Sequence, residues 1–123
     1  MKLNSELIVL IEAASFSITH EDGNVWYFGK YSSAGQDFGF SIVSEDTLEQ
    51  FANNVRSYYE DFDVSEEAYI WLDSSGHGKN GAPYEMVDVY KDMEECAEYI
   101  TELYTIVMNY IGIQEDETDT DDE

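Results

Sequence analysis

The stretch FSITHEDGNVWYFGKY, residues 16–31, joins two runs of β-branched and aromatic residues through Glu21, Asp22, Gly23 and Asn24. Asp, Gly and Asn accept the positive φ of a tight turn, and the flanking runs carry side chains that suit a pleated, half-buried strand. The spacing predicts a β-hairpin. A third run, DFGFSIV at 37–43, follows the small-residue loop SSAGQ and extends the hairpin to three antiparallel strands.

Helical periodicity takes over on both sides of this sheet. Upstream, Ser5 is placed to cap a short helix with Leu7, Ile8, Leu10 and Ile11 on its apolar face. Downstream, Ser44 precedes EDTLEQFANNVRSYYEDF, in which Leu48, Phe51, Ala52, Val55 and Tyr59 recur at helical spacing. Asp63 with Glu66 predicts a capping box for VSEEAYIWL, a short helix presenting Ala68, Ile70, Trp71 and Leu72. The loop DSSGHGKNGAP follows.

From about residue 84 to 111 the longest helix is expected, with Met86, Val89, Tyr90, Met93, Ala97, Ile100, Tyr104, Val107, Met108 and Ile111 in one arc. Asp88, Asp92, Glu95, Tyr99 and Glu102 fall on the opposite arc at 100° per residue. Gly112 is expected to stop the helix, and QEDETDTDDE at 114–123, highly charged and without apolar period, to be a disordered acidic tail. The fold class is therefore α+β in the order α-β-β-β-α-α-α, a three-stranded antiparallel sheet packed with helices in one domain at 1–113.

Charge is the dominant feature. Twenty-eight Asp and Glu stand against five Lys and Arg, a formal net charge of −23, while 43% apolar and 15% aromatic residues supply a core that a disordered acidic chain lacks. Such a field repels nucleic acid and anionic membranes and attracts basic surfaces at a raised, salt-dependent rate. The expected partner is a basic protein, with no direct contact to nucleic acid or membrane; homodimerisation is left open. Cys96 is the single cysteine, so no intramolecular disulfide forms, which fits a reducing cytoplasm. The apolar run 7–11 is broken by Glu12, too short for a membrane span and poor as a signal peptide.

Catalytic, metal and cofactor chemistry find no pattern. GHGKNGAP lacks the spacing of a phosphate loop and no strand leads into it. His20 and His77 lie in separate loops without a cysteine pair. Ser74-Ser75-Gly76-His77 has no nucleophile elbow and no evident third partner, and Cys96 sits at the edge of an apolar arc, as a core thiol would. No catalytic residue, metal or cofactor is expected.

The acids themselves remain. A solvated helix face usually interleaves both signs to gain pairs four residues apart, and here the lysines are missing. Two clusters are the candidate partner-binding residues: Glu60, Asp61, Asp63, Glu66 and Glu67, and Asp88, Asp92, Glu95, Glu98 and Glu102. Acids one helical turn apart stand about 5–6 Å apart, whereas duplex DNA carries one charge per about 1.7 Å. One helix falls short of that density, so the first cluster and the tail would have to lie on the same side.

In its charge, size, element order, the cluster YYEDFDVSEE and the acidic helix YEMVDVYKDMEECAEYITELY, the sequence resembles the small acidic anti-defence proteins of phages and mobile elements, the anti-CRISPR and antirestriction DNA mimics. WLDSSGHGKNGAPYEMVDVYKDMEE is also similar to uncharacterised phage proteins of low-GC bacteria. The resemblance implies an inhibitor acting in the cytoplasm of a bacterial host. It would occupy the DNA-binding groove of an RNA-guided CRISPR nuclease or a restriction enzyme and perform no chemistry. The alternative is an acidic interaction module on a basic host protein at a surface that does not bind DNA.

Overall fold

The computed structural model describes the backbone of residues 3–44, 46–79 and 81–121, and the side chains of these residues up to 113. The order is α1 (Ser5–Ala13), β1 (Ser17–His20), β2 (Val25–Tyr31), β3 (Asp37–Val43), α2 (Leu48–Asp61), α3 (Val64–Ile70) and α4 (Met86–Asp121). The three strands form an antiparallel sheet in the order β1-β2-β3.

Gly23 takes the positive φ (63°) that lets the hairpin turn, and the register sets Ile18 opposite Phe28 and Phe28 opposite Phe40. Period-two alternation then divides the sheet. Phe28, Phe40 and Ile42 are buried beneath α2 and α4 with Phe51, Val55, Ile100, Leu103 and Val107, and Leu7 and Ile11 of α1 close the same cluster. The other face carries Ser17, Thr19 and Ser41, all exposed, and the Tyr27 phenol lies across Gly39, filling the space a Cβ would take. A smaller cluster, Ala68, Val89, Met93 and Cys96, holds α3 against the first half of α4.

The helix ends show where local sequence acts. Asn4 caps α1 by accepting from Glu6 N at 2.8 Å, so Ser5 is the first helical residue and not the cap. Ser15, at φ 74°, then reverses the chain into β1. Thr47 and Gln50 form a reciprocal capping box at α2. Asp63 caps α3 through Ser65 N and Glu66 N, and α3 ends at Ile70, whose side chain is exposed and not part of the core.

Gly112 does not stop α4. It lacks the positive φ of a left-handed cap, and the helix continues to Asp121. A glycine inside a helix costs only about 1 kcal/mol relative to alanine, which hydrogen bonds on either side can absorb. The side chains of the expected disordered tail, 114–123, lie outside the described residues.

Candidate interaction surface

The α4 stripe splits in two. Asp88, Glu94 and Glu98 are exposed, while Asp92, Glu95 and Glu102 are turned into contacts with the sheet and the β2–β3 loop. Glu102 accepts from Lys30 Nζ at 2.6 Å; Lys30 also donates to Ala14 O at 2.8 Å and lies over the rings of Phe16 and Tyr99. Glu95 accepts from Ser33 N at 3.0 Å, from Ser33 Oγ at 2.7 Å and from the Tyr99 hydroxyl. The Tyr99 and Ser33 bonds hold the Glu95 carboxyl below its usual range. Burial and the bond to Glu95 push the Tyr99 phenol up.

Asp92 departs from the helical-wheel expectation. It is 4% exposed, and neither carboxylate oxygen has a hydrogen-bond partner. Burial pushes its pKa up; the Ser32 hydroxyl, near but outside hydrogen-bonding geometry, opposes the rise only in part, and Glu95 adds to it. Two arcs describe a helix covered on one side only. Here α4 also meets the loop at 32–36, which covers Asp92.

The second cluster sits where α2 gives way to α3. Glu60, Asp61 and Glu66 are exposed, and Glu60 lies 3.8 Å from Arg56 one turn earlier. Asp63 serves its own helix as a cap. Glu67 is half-buried, and its charge, second to burial, raises the pKa of Tyr58. The β2–β3 loop is the point where the two clusters approach. Ser33 and Ala34 share a cleft with Asp88, Asp92 and Glu95, and Gln36 and Asp37 share a cavity with Glu67. That cavity also draws in Phe38, Tyr58 and Phe62, which the sequence did not single out, and Trp71, which it placed on the apolar face of α3. Four separate segments meet there, and the only linear signal is the aromatic content of YYEDF beside its acids.

The loop at 73–83 contains a hydrogen-bonded Asp-Ser-His set that the sequence does not advertise. Asp73 Oδ1 accepts from Ser75 Oγ at 2.6 Å and from Ser75 N and His77 N, and Ser75 Oγ lies 2.8 Å from His77 Nδ1. The Ser75 proton is committed to the carboxylate, so His77 Nδ1–H is the donor to Oγ. This polarity is opposite to base activation of a serine nucleophile. The three residues close a turn, and His77 stacks on Tyr84 at 4.1 Å.

Cys96 is buried, and burial first, then Asp92, Glu95 and Glu67, pushes its thiol up to about 12. Among the described residues no group of three His, Cys, Asp or Glu is placed to hold a metal ion, and no helix is long and apolar enough to cross a membrane. Fold and surface define an acidic α+β protein whose carboxylates crowd two neighbouring regions. No protein-family model, curated protein or solved structure matches the chain.

Proposed function

We propose that this chain is an inhibitor that binds a basic DNA-binding protein and competes with DNA for its groove, with carboxylates in the place of phosphates. One observation carries the reading. Among the described residues two ion pairs form, Lys30–Glu102 and the exposed Arg56–Glu60, on a chain of net charge −23. Most of the negative charge is therefore not neutralised by a cation within the fold, and Glu60, Asp61, Glu66, Asp88 and Glu98 are exposed to meet a partner. In this reading the target is an RNA-guided CRISPR nuclease. The setting is the cytoplasm of a bacterial host, and the chain is encoded by a phage or mobile element.

A second reading is an acidic interaction module on a basic surface that does not bind DNA. Tyr69, Ile70, Tyr84 and Val87 favour it, since each is more than half exposed around the α3–α4 connection. An antirestriction role differs from the first reading only in the enzyme bound.

Elution separates these readings. The immobilised chain is loaded with bacterial lysate and washed first with duplex DNA, then with salt. Release of a basic DNA-binding enzyme by duplex supports groove competition. Release by salt alone supports the interaction module.

A further inference from the structure

The two core clusters do not close on each other. Phe38 and Phe62 border both, and beside them lies a cavity of about 180 Å³ walled by Phe38, Tyr58, Phe62 and Trp71 and edged by Asp37 and Glu67. All four aromatic residues are half-buried, and Phe38 meets Phe62 edge to face at 5.8 Å. A second hollow of about 290 Å³ shares Tyr58, Phe62 and Glu67 and adds Asp61. No lysine or arginine lines either hollow. The buried Nε2 of Gln36, at the cavity wall, has no hydrogen-bond partner.

These features select a ligand by elimination. Small-molecule sites occupy roughly 300–1,000 Å³, so this cavity holds one side-chain head group and not a cofactor. An anion meets Asp37 and Glu67, and a purely apolar group strips water from those carboxylates without replacing its hydrogen bonds. A cation satisfies both parts of the wall: aromatic faces attract it through their quadrupoles, and a carboxylate takes its N–H groups in short, charge-assisted bonds. A guanidinium does this better than an ammonium, because it is planar, stacks on rings and donates in a fork. With its amide turned over, Gln36 adds a carbonyl acceptor to the same wall.

We propose that this cavity receives an arginine side chain of the basic partner, the guanidinium stacked among the aromatic rings and bonded to Glu67 and Asp37. The claim rests on the proposed reading that the partner is basic, and it places an anchor within that contact. The long-range field gathers the partner, and this cavity fixes its register.

The test uses the full chain, labelled with ¹⁵N and titrated with N-acetyl-arginine amide. Controls are the lysine analogue and the neutral citrulline analogue. Saturable shifts are expected at the Trp71 indole N–H and at residues 36–38 and 62–67, weaker with lysine and absent with citrulline. Glu67→Gln should weaken arginine binding on the order of ten-fold, the loss of one charge-assisted partner. Phe62→Leu, which keeps the site apolar but removes a ring face, should weaken it as well.

Equal affinity in Glu67→Gln overturns the proposal, as do shifts spread over exposed acids such as Glu94 and Glu98 with none saturating at Trp71. Competition with DNA for a basic enzyme is measured in parallel. If wild-type chain displaces DNA but the cavity ignores arginine, the anchor fails and the inhibitor reading stands. If the cavity binds arginine but DNA is not displaced, the anchor stands and the inhibitor reading fails.

Discussion

Lys30 Nζ lies 2.6 Å from Glu102 Oε1, and this pair ties the central strand β2 to the middle of α4. The lysine side chain is 16% exposed and also serves the Ala14 carbonyl and two aromatic rings, so its charge is held on every side. Lys30→Met keeps the aliphatic stem but strands Glu102 and Ala14 O, and should cost about 2 kcal/mol of unfolding free energy, the worth of hydrogen bonds to a charged group. The Arg56–Glu60 pair is exposed at both ends, so Arg56→Met should change stability by less than about 1 kcal/mol. Urea unfolding of the two variants measures the contrast. Equal effects would remove Lys30 from its role as a pin.

Asp92→Asn should stabilise the chain near neutral pH by about 1–2 kcal/mol, because it removes a buried charge that has no hydrogen-bond partner. The sign follows from linkage. The folded-state pKa of Asp92 is raised, so its contribution to stability is full below the ordinary carboxylate value of about 3.9 and is lost as pH rises through the raised value. Glu95, held low by Tyr99 and Ser33, acts in the opposite sense and loses its contribution as pH falls through its folded value. The difference between wild type and Asp92→Asn therefore shrinks on acidification. Thermal midpoints of the pair from pH 7 to pH 4 check this, and a gap that stays constant would contradict it.

The sheet was legible because its signals are local. Gly23 between alternating runs fixes the hairpin, and the run 37–43 coincides with β3 because small residues precede it and Ser44 follows it. The fate of the acids was not legible. Asp88 and Asp92 are one turn apart on the same helix, yet one is exposed and the other is buried. Residues 32–36, distant in sequence, decide between them by lying over one side of α4. Glu102 likewise gave no sign that it would meet Lys30, 72 residues away. The aromatic cavity escaped for the same reason, since Phe38, Phe62 and Trp71 come from three segments that only tertiary packing joins.

Two glycines separate tolerance from disruption. A Cβ at Gly39 meets the Tyr27 phenol, the far end of a side chain that can swing off the open face of the sheet. One at Gly78 meets the Pro83 carbonyl, which belongs to the backbone that Gly78 N binds through Tyr84 O at 3.0 Å. Gly78→Ala should therefore cost about 1–3 kcal/mol, the usual range for overpacking, and loosen the loop before α4. Gly39→Ala should cost less. Denaturant midpoints rank the two, and amide exchange at Lys79 and Ala82 should rise in Gly78→Ala alone.

Cys96 should resist alkylation in the folded chain, since it is buried and its thiol is pushed up to about 12 by burial and by the charges of Asp92, Glu95 and Glu67. Iodoacetamide at pH 8 should label it only after denaturation, as read by mass. Rapid labelling of the native chain would show that α3 opens from α4.

Competition between this chain and DNA for one groove can be measured directly. A guide-loaded CRISPR nuclease is held with fluorescent target duplex, and anisotropy is followed as the chain is added at 0.1 M and at 1 M salt. The apparent Kd for DNA should rise in proportion to the concentration of the chain. This effect should collapse at high salt, as screening shortens from about 10 Å to about 3 Å. A ternary complex in which DNA stays bound with undiminished affinity would contradict it.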